Sequence, residues 1–211
     1  PTDLREIRLL DETGNRSARL SGISTTGTAR NLQAALGNGW GELSASSLMQ
    51  AGFANVAVQA DDKVTLNLHN PAGLSIAGRL SISSPVLAAV SGSANHLSAA
   101  YVALGNQRTR ANGNQLNGQQ YIAPQASVDA AGASLTVNAG LIEVYGLSAL
   151  QGVSTASLNA TRAVDGSATR QNGEIRLIEV KNTTGSVGTL GGLRFAGDLN
   201  LTAGQVYATT G

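Results

Sequence analysis

Cysteine is absent from the chain, which excludes disulfides, thiolate metal sites and thiol catalysis together. That absence leaves the compartment open, but it suits a long secreted chain that crosses a membrane unfolded. Aromatic residues make up only 3% and charged residues only 13%, both well below ordinary globular usage. The formal net charge of +1 supplies no global field to attract nucleic acid or an anionic membrane. No run of about 18 apolar residues occurs, so no segment reads as a membrane-spanning helix. There is no cationic, apolar-cored leader, and the chain opens at Pro1; it is expected to be a portion of something longer. Few charges and few aromatics can mark disorder, but 42% hydrophobic residues, many in strict alternation, argue against it.

What the chain does have is a short pattern that recurs. Residues 77–87 read AGRLSISSPVL, 132–142 GASLTVNAGLI and 196–206 AGDLNLTAGQV. Each runs from a small pair through apolar–polar–apolar to a small-residue corner and back to apolar. Leu80, Leu135 and Leu199 take one role, and Ile82, Val137 and Leu201 the next. Ser84, Ala139 and Ala203 stand at the corner. Period-2 alternation puts the two apolar side chains of each copy on one face, and Ser81, Thr136 or Asn200 on the other. One such unit cannot bury its apolar face, whereas stacked copies build a continuous core, so the pattern predicts a repeat architecture. All three leucines are expected at equivalent inward positions. The 26 glycines, with Ser, Thr, Ala and Asn, suit tight corners and close strand stacking.

Residues 1–23 hold eight charged residues, and REIRLL (5–10) and SARLSGI (17–23) flank the turn-like DETGN. This predicts a β-hairpin or a pair of edge strands kept soluble by charge. A short helix is expected around Ala29–Leu36, stopped by Gly37, and a second short helix or tight turn starting at Ser44 or Ser46 and running through Leu48–Met49 to Gly52. From Phe53 onward short alternating segments dominate: NVAVQA (55–60), KVTLNL (63–68), GLSIAGRLSI (73–82), HLSAAYVAL (96–104), SLTVNAGLIEV (134–144), ASLNA (156–160), EIRLIEV (174–180) and DLNLTAGQVY (198–207). The organisation is therefore an N-terminal edge or cap region, residues 1–41, and a stack of β-coils, residues 42–211. Coils of about 20–25 residues predict about six to eight of them. Residues 105–125, GNQRTRANGNQLNGQQYIAPQ, form a polar insertion extruded between coils, and a second insertion is expected over Arg162–Gly173.

Sites of chemistry are scarce. Polysaccharide hydrolysis needs two carboxylates about 5–9.5 Å apart on one face. The adjacent pair Asp61–Asp62 would point to opposite faces on a strand, and would be solvated in a turn. Glu143 and Glu179 read as isolated carboxylates on outer strand faces, paired only through a register that sequence does not show. His69 and His96 lie 27 residues apart, near one coil length, but no carboxylate or third ligand accompanies them. No catalytic residue, metal site or cofactor is implied. Four Asn-x-Ser/Thr sequons, at Asn15, Asn159, Asn182 and Asn200, are what so Asn- and Thr-rich a chain contains by chance. Arg108, Arg110 and Tyr121 in the polar insertion are the candidate contact residues, for a sugar or an acidic partner. The competing reading of that insertion is a solvated loop.

The ordered series LSASSLMQAGFANVAVQA, GRLSISSPVL, HLSAAYVALGN, SLTVNAGLIEVYGLSALQGV and GDLNLTAGQVYATTG resembles the filamentous-haemagglutinin-like exoproteins of Gram-negative bacteria. More narrowly, it is similar to a region toward the C-terminal part of one large branch of them. The resemblance covers roughly residues 42–211 and is best at AAYVALGN, AGLIEVYG and LTAGQVY. It implies a right-handed parallel β-helix in a long fibre, exported through an outer-membrane transporter by two-partner secretion to the bacterial surface. It further implies adhesion, biofilm formation or display toward a host or neighbouring-cell surface or matrix component. Residues matching the family's N-terminal export domain are missing, so the expectation is a non-catalytic shaft segment. The alternatives are a carbohydrate-binding or carbohydrate-cleaving β-helix and the stalk of a contact-dependent toxin. Aromatics and carboxylates grouped on one side would favour the first of these, and a smooth Ser/Thr/Asn face would not.

Overall fold

The computed structural model describes residues 6–12, 40–106, 132–163, 170–181, 188–189 and 191–209. Strands dominate, and nearly all of them pair in parallel. In chain order the first elements are β1 (Glu6–Leu10), β2 (Trp40–Ser44), helix α1 (Ala45–Gln50), β3 (Asn55–Gln59), β4 (Lys63–Asn67) and β5 (Leu74–Ser75). Then come β6 (Arg79–Ser83), β7 (Val86–Ala89), β8 (Ala94–Ser98), β9 (Tyr101–Gly105), β10 (Ala133–Ala139), β11 (Leu141–Tyr145), β12 (Leu147–Gln151) and β13 (Val153–Ala163). The last are β14 (Arg170–Asn172), β15 (Glu174–Ile178), β16 (Val180–Lys181), β17 (Gly188–Thr189), β18 (Gly192–Arg194), β19 (Asp198–Thr202) and β20 (Gln205–Thr209).

These strands form three parallel sheets. Sheet I has the order β18-β12-β7-β4-β1-β2, and sheet II the order β20-β15-β11-β9-β6-β3. Sheet III runs β19-β13-β10-β8-β5. From β3 onward the chain visits sheet II, then I, then III, and returns to II, laying each strand beside its counterpart from the previous circuit. Val56 thus neighbours Leu80 and Leu80 neighbours Val102 in sheet II, and Leu74 neighbours Leu97 in sheet III. These early steps are 22–24 residues, within the expected length of about 20–25, while later ones are longer, 40 from Val102 to Ile142 and 33 from there to Ile175. Between β9 and β10 no described residue enters sheet I, and β7 pairs directly with β12. The second expected insertion is an antiparallel hairpin, β13 against β14, with Thr161 opposite Asn172. A shorter antiparallel pair joins β16 to β17.

Alternation directs the apolar residues inward from all three sheets. Leu66, Leu74, Leu80, Leu97, Leu104, Leu135, Ile142, Leu150 and Leu158 are buried in one continuous core, and burying each such side chain contributes about 1.5–3 kcal/mol. Two glycines mark where the stacked chain comes closest. Gly73 has φ +57° and Gly105 φ +124°, and a Cβ would strike the backbone oxygen of His96 at the first and of Tyr145 at the second. Helix α1 starts where the sequence predicts: the Ser44 hydroxyl accepts the Ser47 N–H at 3.2 Å as its N-cap, and Leu48 and Met49 pack on the core.

Two expectations change. Leu135 and Leu199 share a column in sheet III, each in register with Ala156, but Leu80 stands in sheet II. The three-fold pattern reads any strand–corner–strand unit, because corners between different sheets impose the same need for small residues. Leu199 is also 45% exposed on the outermost strand of its sheet. The N-terminal segment differs as well. Its first half, β1, pairs in parallel with β2 on one edge and β4 on the other, which leaves neither edge for an antiparallel partner. Residues 17–23 and 29–36 lie outside the described residues.

Candidate functional site

The outward side of sheet II carries the densest group of chemically active side chains among the described residues. Strand alternation puts positions 1, 3 and 5 of each five-residue strand outward. Parallel stacking then aligns Glu143 with Arg176 and Arg176 with Tyr207 in one column, and Tyr101 with Leu141 and Glu174 in another. Glu143, on β11, is 8% exposed. Both Tyr101 and Tyr145 donate their hydroxyls to its Oε2, in short hydrogen bonds, and the two hydroxyls stand 3.2 Å apart. Arg176 Nη1 lies 3.5 Å from Glu143 Oε1.

Arg176 links this group to the next. Its Nη2 and Nε donate to Glu174 Oε2 at 2.6 and 3.0 Å, and Tyr207 donates to the same oxygen at 2.8 Å. The Arg176 guanidinium lies 5.8 Å from the Tyr207 ring centre. At the other end, exposed Arg79 places its guanidinium 5.0 Å from the ring centre of Tyr101. One polar strip therefore crosses from β6 to β20 through Arg79, Tyr101, Glu143, Tyr145, Arg176, Glu174 and Tyr207. Adjacent strands are about 4.8 Å apart, so the strip spans about 19 Å.

Protonation follows from these contacts. Burial pushes the Tyr101 phenol far above its ordinary value, and the hydrogen bond to Glu143 pushes the same way. Burial, then the hydrogen bond to Glu143, also raises Tyr145, with the Tyr101 hydroxyl and then Arg79 pulling the other way. The hydrogen bond from Arg176 holds the Glu174 carboxyl below the usual carboxylate range, and the same contact raises the Arg176 guanidinium. The phenols thus remain donors at neutral pH while Glu174 stays an anion. Hydrogen-bond donors already engage both carboxylates; Glu143 is enclosed, whereas Arg79, Glu174, Arg176 and Tyr207 remain accessible along the strip.

The other outward faces differ. On sheet I, Glu6 is 4% exposed and accepts from the Thr65 hydroxyl at 2.6 Å, with Arg8 Nε at 3.1 Å and Lys63 Nζ at 3.8 Å. Sheet III shows rows of mostly small polar residues: Ser134 and Thr155, ending at Asp198; His96, Thr136, Ser157 and Asn200; Ser98, Asn138, Asn159 and Thr202. Asn159 donates to Asn138 at 3.0 Å across one strand spacing.

Arg108, Arg110 and Tyr121 lie outside the described residues. The two histidines are not stacked: His96 on β8 sits over Gly73, while His69 precedes that turn, its Nε2 2.9 Å from Asn67 Oδ1. Asp61 and Asp62 form the bend between β3 and β4. Asp61, Glu143 and His96 therefore occupy separate parts of the fold. Among the described residues no group of three His, Cys, Asp or Glu side chains could hold a metal ion, and no helix is long and apolar enough to cross a membrane. Glu143 has a partner one circuit away, and it is Arg176 rather than a second acid. The signal for the strip was present as Glu-x-Tyr at 143–145 and Glu-x-Arg at 174–176, pairs that share a strand face, but only register joins them. Comparison of the chain with protein-family models, curated proteins and solved structures gives no match.

Proposed function

We propose that the three sheets wind as a right-handed parallel β-helix, and that this chain is a non-catalytic shaft segment of a large secreted bacterial surface fibre. The observation that carries this reading is the recurring II–I–III order, with parallel pairing from one circuit to the next around a leucine-rich interior. Such a stack is stiff because each circuit is hydrogen-bonded to its neighbours, which suits a spacer holding distal elements away from a cell. The family that fits is the filamentous-haemagglutinin-like exoproteins. Export then runs through an outer-membrane transporter, and the eventual partner is a component of a host or neighbouring-cell surface or matrix. Small-angle X-ray scattering of the purified chain, paired with incubation on a polysaccharide panel, tests it. A rod of constant cross-section and no new reducing ends is the expected result; a compact globule, or released sugars, would refute it.

The strip on sheet II favours a second reading, a carbohydrate-binding side. Tyrosine faces, guanidinium donors and carboxylate acceptors in a row suit a hydroxyl-rich chain lying along the stack. Oligosaccharide titration followed by tyrosine fluorescence checks this, with Arg79→Ala and Tyr207→Ala expected to weaken binding and Thr136→Ala on sheet III expected to leave it unchanged.

A further inference from the structure

Strand β1 belongs to sheet I but not to the winding order that produces the rest of it. The chain leaves β2, passes through α1 and β3, and comes back to sheet I as β4. Elsewhere a circuit of this kind lays the returning strand directly against the earlier one, as β7 lies on β4 and β18 on β12. Here β1 stands between. Residues Glu6–Leu10 run in register with Trp40–Ser44 on one edge and with Lys63–Asn67 on the other.

Later parts of the chain hold the segment at both ends. At its start, Glu6 takes the Thr65 hydroxyl and the Lys63 ammonium. At its end, the Asp11 carbonyl accepts the Ser46 N–H at 3.1 Å. The Asp11 carboxylate accepts the N–H groups of His69 at 2.6 Å and Asn70 at 3.2 Å. Leu9 is 0% and Leu10 5% exposed. Withdrawing an inner strand uncovers two ladder edges at once, each of which wants another strand. From residue 40 onward the chain therefore frames a slot between β2 and β4, shaped for an extended parallel segment with the sequence EIRLLD.

We propose that this slot is a strand-exchange site, and that its second occupant is Glu6–Asp11 of another copy of this chain. The contacts that Glu6–Asp11 makes in exchange are identical to those it makes within one copy, so they favour neither arrangement. Residues 12–39 can reach about 90 Å when extended, far more than the return path along one strand, so the connection permits both. Tethered segments in general have effective concentrations on the order of millimolar, and exchange competes once protein concentration approaches that value.

The absence of cysteine makes the test direct. Arg8 and Glu42 are register partners across β1 and β2, and both are partly exposed. In the full chain, the double variant Arg8→Cys with Glu42→Cys should close an intramolecular disulfide; failure to do so would remove β1 from the slot and end the proposal. The single variants Arg8→Cys and Glu42→Cys are then unfolded, mixed, refolded together and oxidised. At about 1 mM, near the tether's effective concentration, roughly half of the segments should exchange. The product is a disulfide-linked heterodimer containing the 8–42 peptide pair by mass spectrometry, diminishing on dilution. Heterodimer no more abundant than the Arg8→Cys homodimer, while the double variant closes normally, would overturn exchange. Either result leaves the shaft reading intact, because that reading rests on the circuits after β3.

Discussion

Sheets II and III have closely similar inner faces and very different outer ones. Inward, sheet II offers Leu80, Val102, Ile142 and Ile175, and sheet III Leu97, Val137 and Leu158. Outward, sheet II carries Tyr, Glu and Arg in a connected strip, whereas sheet III carries rows mostly of Ser, Thr and Asn, with His96 and Asp198 set among them. The shared core limits what can point in, and nothing in the core limits what points out. Large ionisable groups on the outside must then be satisfied against one another, as Glu143 is by two phenols and Arg176, while small polar groups are content with water and short ladders such as Asn159 to Asn138. A stack of this kind can specialise one side chemically without altering its interior.

Breaking the shared interior should have the largest effect. Leu80→Ala and Leu135→Ala, one in each sheet, should each cost about 2–5 kcal/mol of stability, since both leucines are fully enclosed. Urea melts with matched slopes would show it, and a cost below about 1 kcal/mol at either site would mean that its sheet does not share the core.

The outer faces should separate next. Glu143→Ala strips two half-buried phenols of the acceptor they share and, at about 0.5–1.5 kcal/mol per hydrogen bond, should cost about 1–3 kcal/mol, while Ser157→Ala on sheet III should stay within about 0.5 kcal/mol. Equal losses would dissolve the distinction between the faces.

Titration sharpens the comparison further. The phenols of Tyr101 and Tyr145 are raised in the folded state, mainly by burial and then by Glu143. Folding therefore retains protons that the unfolded chain releases near pH 10. Their contribution to stability is complete below that pH and is lost as pH rises toward the folded values. Absorbance of tyrosinate near 295 nm should lag for these two residues until the chain unfolds. In Glu143→Gln the lag should shorten but persist, because burial remains.

The smallest effect belongs to Glu174. Its carboxyl is depressed by Arg176, so what it contributes is present above the usual carboxylate range and is lost as pH falls through the lowered folded value. The pair is open to solvent and screened. Arg176→Ala should return the Glu174 carboxyl toward its ordinary value in a carboxylate NMR titration.

Much of the strand content was legible. KVTLNL, SLTVNAGLIEV and EIRLIEV became β4, the β10–β11 corner and β15, because alternation against a common core is a local property of the chain. The Ser44 cap was legible for the same reason. β2, β7, β12 and β18, all in sheet I, were missed: WGELS, VLAA, LSALQ and GLR are short and carry too little alternation to stand out. The strip on sheet II was visible only as fragments. Glu143 meets Tyr101 and Arg176 through pairings 42 and 33 residues apart, and no local pattern specifies those distances.

By itself, then, the sequence determined an all-β chain of short stacked strands with a leucine, valine and isoleucine interior and small-residue corners. Side-chain alternation and corner sterics act within a few residues of one another, and so can be read in order. The tertiary structure alone decided that Leu80 belongs to a different sheet from Leu135, that Arg176 rather than another acid answers Glu143, and that β1 lies between β2 and β4. Each of these depends on register between strands far apart in the chain, and register is set by the whole stack rather than by any one strand.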